Sequence, residues 1–152
     1  MRLTENYKDI HHTLEMLLHQ AAESVPYCVE NLPSFENPQD MWHFLKNATT
    51  YKLDPPGIEM IQTAHSLFHD NYHNITGAGD CDCFTVLTIA ATIANSLGTP
   101  YIELRGNNKR QPSHIYSSVN YNGKIYGLDL TNPWPNYDRP YKYKQQIEII
   151  CN

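Results

Sequence analysis

Gly79-Asp80-Cys81-Asp82-Cys83-Phe84-Thr85-Val86-Leu87-Thr88-Ile89-Ala90-Ala91-Thr92-Ile93-Ala94 decides how this chain is read. From position 83 to 97 apolar side chains (Phe84, Val86, Leu87, Ile89, Ala90, Ile93, Ala94, Leu97) fall nearly all round a helical wheel. A helix with no polar face is a buried helix. Gly98 is the expected residue just past its end, and Pro100 prevents continuation. Cys81 then sits in the first helical turn, where orphan backbone N–H groups and the helix dipole favour negative charge. A thiol placed there titrates towards thiolate, its nucleophilic form.

Three strand-like runs follow, Tyr101 to Arg105, Ser113 to Tyr121 and Lys124 to Leu130. Asn122-Gly123 between the last two is the strongest short hairpin signal, and a two-residue turn pairs Tyr121 with Lys124. Counting back along a continuous ladder sets Asp129 opposite Tyr116 and His114 opposite Thr131. His114 and Asp129 become diagonal neighbours on one face, about 7–8 Å apart at the backbone. Ile115, Val119, Tyr121, Tyr126, Leu128 and Leu130 make the other face apolar and fit for packing. The chain thus offers a thiol, an imidazole and a carboxylate; hairpin geometry alone equally admits a surface histidine and a turn aspartate.

Upstream, Thr4 is a plausible N-cap and Ile10, Leu14, Leu17, Leu18 and Ala21 recur at helical spacing, which predicts a helix over 5–24 that stops before Pro26. Asn37-Pro38 reads as a cap followed by proline at the first position of a second helix, with Met41, Trp42, Leu45 and Ala48 as its apolar stripe and an end near Tyr51. Asp54-Pro55-Pro56-Gly57 is a turn, a third helix is expected over 58–70, and 71–79 is a glycine-containing loop. The tail from Pro133 to Pro140 is a loop, and 142–150 suits a last strand. Nothing marks a second domain. The expected layout is one domain over 1–152: an N-terminal helix and loop at 1–37, a core at 38–131 and a tail at 132–152.

The 152 residues are enough for a core without metal or disulfide staples. A net charge of −5 offers no basic surface, so nucleic acid is not expected as a partner. No stretch approaches the roughly 18 apolar residues of a membrane span, and Met1-Arg2-Leu3-Thr4-Glu5 does not open a signal peptide. Cys28, Cys81, Cys83 and Cys151 lack the spacing of a disulfide framework or paired zinc knuckles, which points to a soluble protein with free thiols in a reducing compartment. His65, His69 and His73 recur at four-residue steps, yet no glutamate lies between them and Asn71 to Asn74 interrupts the helix, so no metal is expected. Cys81-x-Cys83 with His73 has an uncommon spacing for structural zinc, and His11-His12 reads as surface. Tyr137, Tyr141 and Tyr143 suit either a protein interface or strand packing.

Gly79-Asp80-Cys81-Asp82 before a helix, His114 in a strand and Asp129-Leu130-Thr131 at the end of the next together resemble the transglutaminase-like superfamily of cysteine enzymes. Trp42-x-x-Leu45, Tyr51-x-x-Asp54-Pro55 and Glu59-x-Ile61-Gln62 look most like its bacterial and phage members, so the likeness covers about residues 40–131. The resemblance implies an α+β, papain-like core: N-terminal helices and a central cysteine-bearing helix packed on an antiparallel sheet. It implies Cys81 as nucleophile, His114 as general base and Asp129 as the acid orienting it, acting through an acyl-enzyme on a protein or peptide substrate with no cofactor. Water as acceptor gives a peptidase or amidase; an amine gives a transferase. A bacterial or phage-infected cytoplasm, or a virion, is the implied setting.

Many relatives carry an acid where this chain has Cys83, which makes Cys83 the alternative nucleophile. Positions 81 and 83 are about 200° apart on a helix, so both cannot face one imidazole, and Cys83 reads more simply as a small buried residue. The Cys81 backbone N–H and the Gln62 amide are candidate oxyanion donors, and Tyr116 shares the His114 face. Asp80 and Asp82 oppose thiolate formation, and the dipole is worth well under about 2 kcal/mol, so a close histidine must dominate. The competing reading is a catalytically silent papain-like domain serving a phage particle, its assembly or protein binding.

Overall fold

In the computed structural model, Asp80 caps the helix that organises everything else: its carboxylate accepts from Cys83 N at 3.4 Å. The structure describes residues 1–3, 11–57, 60–68, 77–108 and 112–151. Among the described residues the capped helix is the fourth of four. The helices are α1 (His11–Asn31), α2 (Pro38–Ala48), α3 (Ala64–Phe68) and α4 (Cys81–Ala94). The strands are β1 (Arg2–Leu3), β2 (Thr49–Tyr51), β3 (Gly77–Gly79), β4 (Thr99–Gly106), β5 (His114–Tyr121), β6 (Lys124–Gly127) and β7 (Tyr143–Ile150).

The architecture is α+β. Five strands form one antiparallel sheet in the order β1-β7-β4-β5-β6, and β2 with β3 makes a separate parallel pair. Every residue of α4 from Cys83 to Thr92 is buried, because two apolar layers meet on it. On one side Val86 and Ile89 join Leu14, Leu17 and Ala21 of α1 and the sheet residues Ile102, Leu104, Ile115, Ile147 and Ile149. On the other, Phe84, Leu87 and Ala91 join Met41, Trp42 and Leu45 of α2, together with Val119, Leu128 and Leu130. Three threonines carry hydroxyls into this core and all are satisfied. Thr85 Oγ1 donates to Cys81 O (2.7 Å), Thr88 Oγ1 shares a bond with Ser117 Oγ (2.6 Å), and Thr92 Oγ1 donates to Thr88 O (2.7 Å).

Several element boundaries differ from expectation. α1 does not stop before Pro26 but runs through it to Asn31. Pro26 and Ala22 are both exposed, so the carbonyl that loses its partner faces water, and burial of Cys28 with packing of Tyr27 and Leu32 outweighs the disruption. Thr4 and Ile10 lie outside the described residues. α2 has its predicted cap, Asn37 Oδ1 accepting from Asp40 N at 2.8 Å, but ends at Ala48, and Tyr51 belongs to a strand. Of the third helix only Ala64–Phe68 is helical; positions 60–63 are irregular, and 58, 59, 69 and 70 lie outside the described residues. Gly77–Gly79, expected as loop, pairs with Thr49–Tyr51.

α4 ends on Ser96, not Gly98. Ser96 takes φ 52°, with Ser96 N–H donating to Ile93 O and Leu97 N–H to Thr92 O, both at 3.1 Å. Gly98 instead allows a close approach: a Cβ there would lie 2.0 Å from Asn120 O. β6 stops at Gly127, three residues early: Asn136 clasps the outer edge of Gly127 through N–H to O (3.2 Å) and Oδ1 from N–H (3.0 Å), and after one more bond to β5, Leu128 N–H to Ser117 O (2.8 Å), the chain turns at Asp129. Among the described residues no helix is long and apolar enough to cross a membrane.

Leu87, fully buried in α4, reports on this packing. Leu87→Ala is expected to lower unfolding free energy in urea by about 2–5 kcal/mol. Ile125→Ala, at a side chain 38% exposed, should change it by no more than about 0.5 kcal/mol. Equal losses would show that α4 is not the centre of the core.

Candidate active site

The N-terminus of α4 meets the start of β5, and this junction places the candidate residues. Thr85 Oγ1, besides its bond to Cys81 O, lies 3.3 Å from Ile115 O, and the Ile115 N–H points to the Cys81 sulfur. Ile115 faces the core, so His114, one residue earlier, lies beside the helix end. Cys81 and His114 are walls of one cavity of about 260 Å³, shared with Thr13, Leu14, Leu104 and Ile115.

His114 and Asp129 are in direct contact, Nε2 to Oδ2 at 2.6 Å, with both side chains largely buried. They do not meet as diagonal neighbours on a ladder, because the ladder has ended at Gly127. Asp129 stands in the turn that follows and is fixed from several sides. Its Oδ1 accepts from Thr131 N (3.0 Å) and Thr131 Oγ1 (2.7 Å). Its backbone carbonyl accepts from Trp42 Nε1 at 3.0 Å, and the next carbonyl, Leu130 O, accepts from Lys46 Nζ at 2.8 Å. Trp42 and Lys46 are four apart, one turn of α2, so a single helix face anchors the turn. The His114 ring packs against Tyr116 (centroids 5.8 Å apart) and stacks on Tyr141 (6.1 Å, 22°).

Burial raises the Asp129 carboxyl, but hydrogen bonding and charge from His114 and the two bonds from Thr131 outweigh it and hold the group below the ordinary aspartate value. An ionised carboxylate only accepts, so Nε2 of His114 carries the proton in this pair, and in the neutral ring Nδ1 is the acceptor nitrogen. Cys81 differs from the expectation of a thiolate. Burial pushes its thiol up to about 12; Asp82, whose Oδ1 is 3.8 Å from Sγ, adds to the rise, and so do Asp80 and Asp129. The Ile115 N–H acts the other way without prevailing. The sulfur and the ring share a cavity and are not hydrogen-bonded to each other among the described residues.

Cys83 is buried away from this cavity. Its Sγ donates to Met60 O (3.2 Å) and accepts from Gln62 N (3.5 Å), and burial pushes the thiol up to about 11. Gln62 is on that same side: Nε2 donates to Ala78 O at 3.1 Å, so its amide is turned from Cys81. Tyr116 lies beside His114, with its hydroxyl accepting from Arg105 Nη2 (2.9 Å) and donating to Asp138 Oδ1 (3.3 Å). His69 and His73 lie outside the described residues, and His12 is exposed. Sequence reading missed Thr131, Lys46 and Tyr141. Thr131, two residues after an aspartate, carried the signal of a side-chain turn, whereas nothing in the local sequence marks Tyr141.

No protein-family model and no curated protein matches the chain. A solved structure of a candidate cysteine protease from Cytophaga hutchinsonii is similar over 84% of this chain, with 15% identity and a TM-score of 0.47. The match spans 40% of that protein's chain.

Because the folded Asp129 carboxyl ionises more readily than the unfolded one, it stabilises the fold above the ordinary aspartate range. That contribution drains away as pH falls through the lower folded value. Asp129→Ala is expected to lose about 1–3 kcal/mol near neutral pH, with the gap to wild type closing as urea titrations move towards about pH 2. A gap that stays constant with pH would show that the loss is only one of packing.

Proposed function

We propose that the chain is a cysteine-dependent amide hydrolase or acyl transferase on a papain-like, transglutaminase-like core, with Cys81 as nucleophile. The observation that carries this reading is the buried His114–Asp129 pair opening onto the same cavity as a helix N-terminal thiol. In this scheme Asp129 holds the ring with Nε2 protonated and Nδ1 towards the cavity. The substrate carbonyl enters between sulfur and ring. As Sγ attacks the carbonyl carbon, its proton passes to Nδ1. The oxyanion takes the Cys81 backbone N–H, a donor left over at the helix end. When the C–N bond breaks, Nδ1 returns the proton to the leaving amine and a thioester remains on Cys81. Water or an amine then gives its proton to Nδ1, attacks the thioester carbon, and releases the thiol.

Burial that pushes the Cys81 thiol up to about 12 supports a concerted order of events. Proton transfer accompanies attack, instead of a thiolate–imidazolium pair standing ready. The same observation favours a second reading, a silent domain of this fold that binds a protein partner, in a phage particle or elsewhere.

p-Nitrophenyl acetate separates the two. The enzyme reading expects one acetyl group on Cys81 by intact mass, turned over with time. Cys81→Ala should take none at that position, and His114→Ala should acylate about 10²–10⁴-fold more slowly. Cys83→Ala should retain the reaction. Acylation confined to the exposed Cys151, or a rate indifferent to His114, would leave the silent reading standing.

A further inference from the structure

Resting on the cysteine-enzyme reading, we propose that the cavity beside Cys81 is an acyl side-chain pocket with α1 as its outer wall, selecting a neutral aliphatic side chain on the residue whose carbonyl is attacked. The volume, about 260 Å³, is below the roughly 300–1,000 Å³ of pockets for whole drug-sized ligands and fits one side chain. Its depth is formed by Leu14 of α1, Leu104 of β4 and Ile115 of β5, all of them buried, with Pro112 beside them. Thr13, one residue from Leu14 and half-buried, is the wall residue nearest solvent on the helix.

Leu14, Leu104, Ile115 and Pro112 solvate no charge, so an ammonium or carboxylate packed among them surrenders most of its hydration, and the polar lining besides the reacting pair is Asp82 with the Thr13 and Ser113 hydroxyls. Asp82 on the rim repels an acidic side chain further. Cys81 and His114 line the cavity directly, so whatever fills it must be attached close to the reacting carbonyl. The first helix thereby gains a role beyond packing: Leu14 serves the core and the pocket at once, while Thr13 serves the pocket.

The test uses four acylated amino-acid chloromethyl ketones, bearing leucine, phenylalanine, lysine or glutamate side chains, with iodoacetamide as the reagent without a side chain. Labelling of Cys81 is followed by intact mass, and each rate is taken as a ratio to iodoacetamide. The leucine reagent should exceed the lysine and glutamate reagents by at least about tenfold, the scale at which pocket contacts discriminate. Thr13→Phe, which fills the cavity, should lower the leucine ratio by about tenfold. Thr13→Ala, which enlarges it, should raise phenylalanine relative to leucine and serves if the larger residue disturbs folding. Lysine or glutamate labelling as fast as leucine, or ratios unmoved by both Thr13 variants, overturns the pocket. If His114→Ala slows every reagent while side chains make no difference, the cysteine-enzyme reading stands and the pocket falls. If Cys81 resists all five reagents, both fall together.

Discussion

Ile115 uses both backbone groups to hold the start of β5 against the N-terminus of α4. Its carbonyl lies by the Thr85 hydroxyl, and its N–H by the Cys81 sulfur. Without that junction the thiol and the imidazole, 33 residues apart in sequence, have no reason to share a cavity. The junction is itself dictated by packing. α4 is apolar on all sides and must be enclosed, so the sheet and α1 cover one flank while α2 covers the other. Thr85 and Thr88 then add polar contacts to β5, at Ile115 O and Ser117 Oγ, and a slip would take from the buried Ser117 hydroxyl the partner it has in α4. A greasy helix alone could slide; these hydroxyls stop it.

The electrostatics divide the three candidate residues into two kinds. Asp129 is buried and still ionises readily, because three donors converge on its carboxylate: the imidazole and the N–H and hydroxyl of Thr131. Cys81 is half-buried among carboxylates, with one N–H to set against them. A helix terminus contributes about 0.3–1 kcal/mol at an ordinary site, too little to offset desolvation of a thiolate beside Asp80 and Asp82. Both opposing effects are legible in the order of residues along the helix, whereas the extent of burial is not. A sequence states which groups are near one another along a helix but not how much water reaches them.

The same distinction explains what was legible. The Asn122-Gly123 turn carries φ of 53° and 83°, the left-handed pair that this dipeptide supplies at least cost, and the pairing Tyr121↔Lys124 follows from local chemistry. Asn37 as a cap is equally local. The end of the ladder is not, because the Asp129 and Leu130 carbonyls turn to Trp42 and Lys46, 87 and 84 positions away. His114 and Asp129 were therefore placed together by the right pairing of strands but the wrong route, a continuing ladder in place of a turn closed by Thr131. Pro26 and Ser96 make the converse point. A local rule gives way where the neighbouring packing is strong and the lost group faces water, or where a non-glycine residue closes the helix so that glycine can serve a close approach elsewhere.

The sheet face that carries His114 and Tyr116 also carries a buried ionic network beside the site. Glu103 and Arg105 are buried and joined at 3.0 Å; Ser118 and Gln146 complete Glu103, while Leu104 O, Tyr116 and Asp138 complete Arg105. Among the described residues no buried side-chain polar atom lacks a partner. A buried ion pair is a poor source of stability even when fully satisfied, since desolvation consumes most of its attraction. What this one fixes is geometry. Asp138 and Tyr141 belong to the same segment after Asp129; Lys144 holds Asp138 at 2.8 Å, and Arg139 returns to Asn132 Oδ1 at 3.1 Å. The segment is thus tied at three points around the residue that stacks on His114, and Arg105 is itself the cross-strand partner of His114. An imidazole pinned at Nε2 by one carboxylate could still tilt about that bond. Tyr116 and Tyr141, each located by the Arg105 network or the segment it anchors, pack against the ring and restrict that tilt.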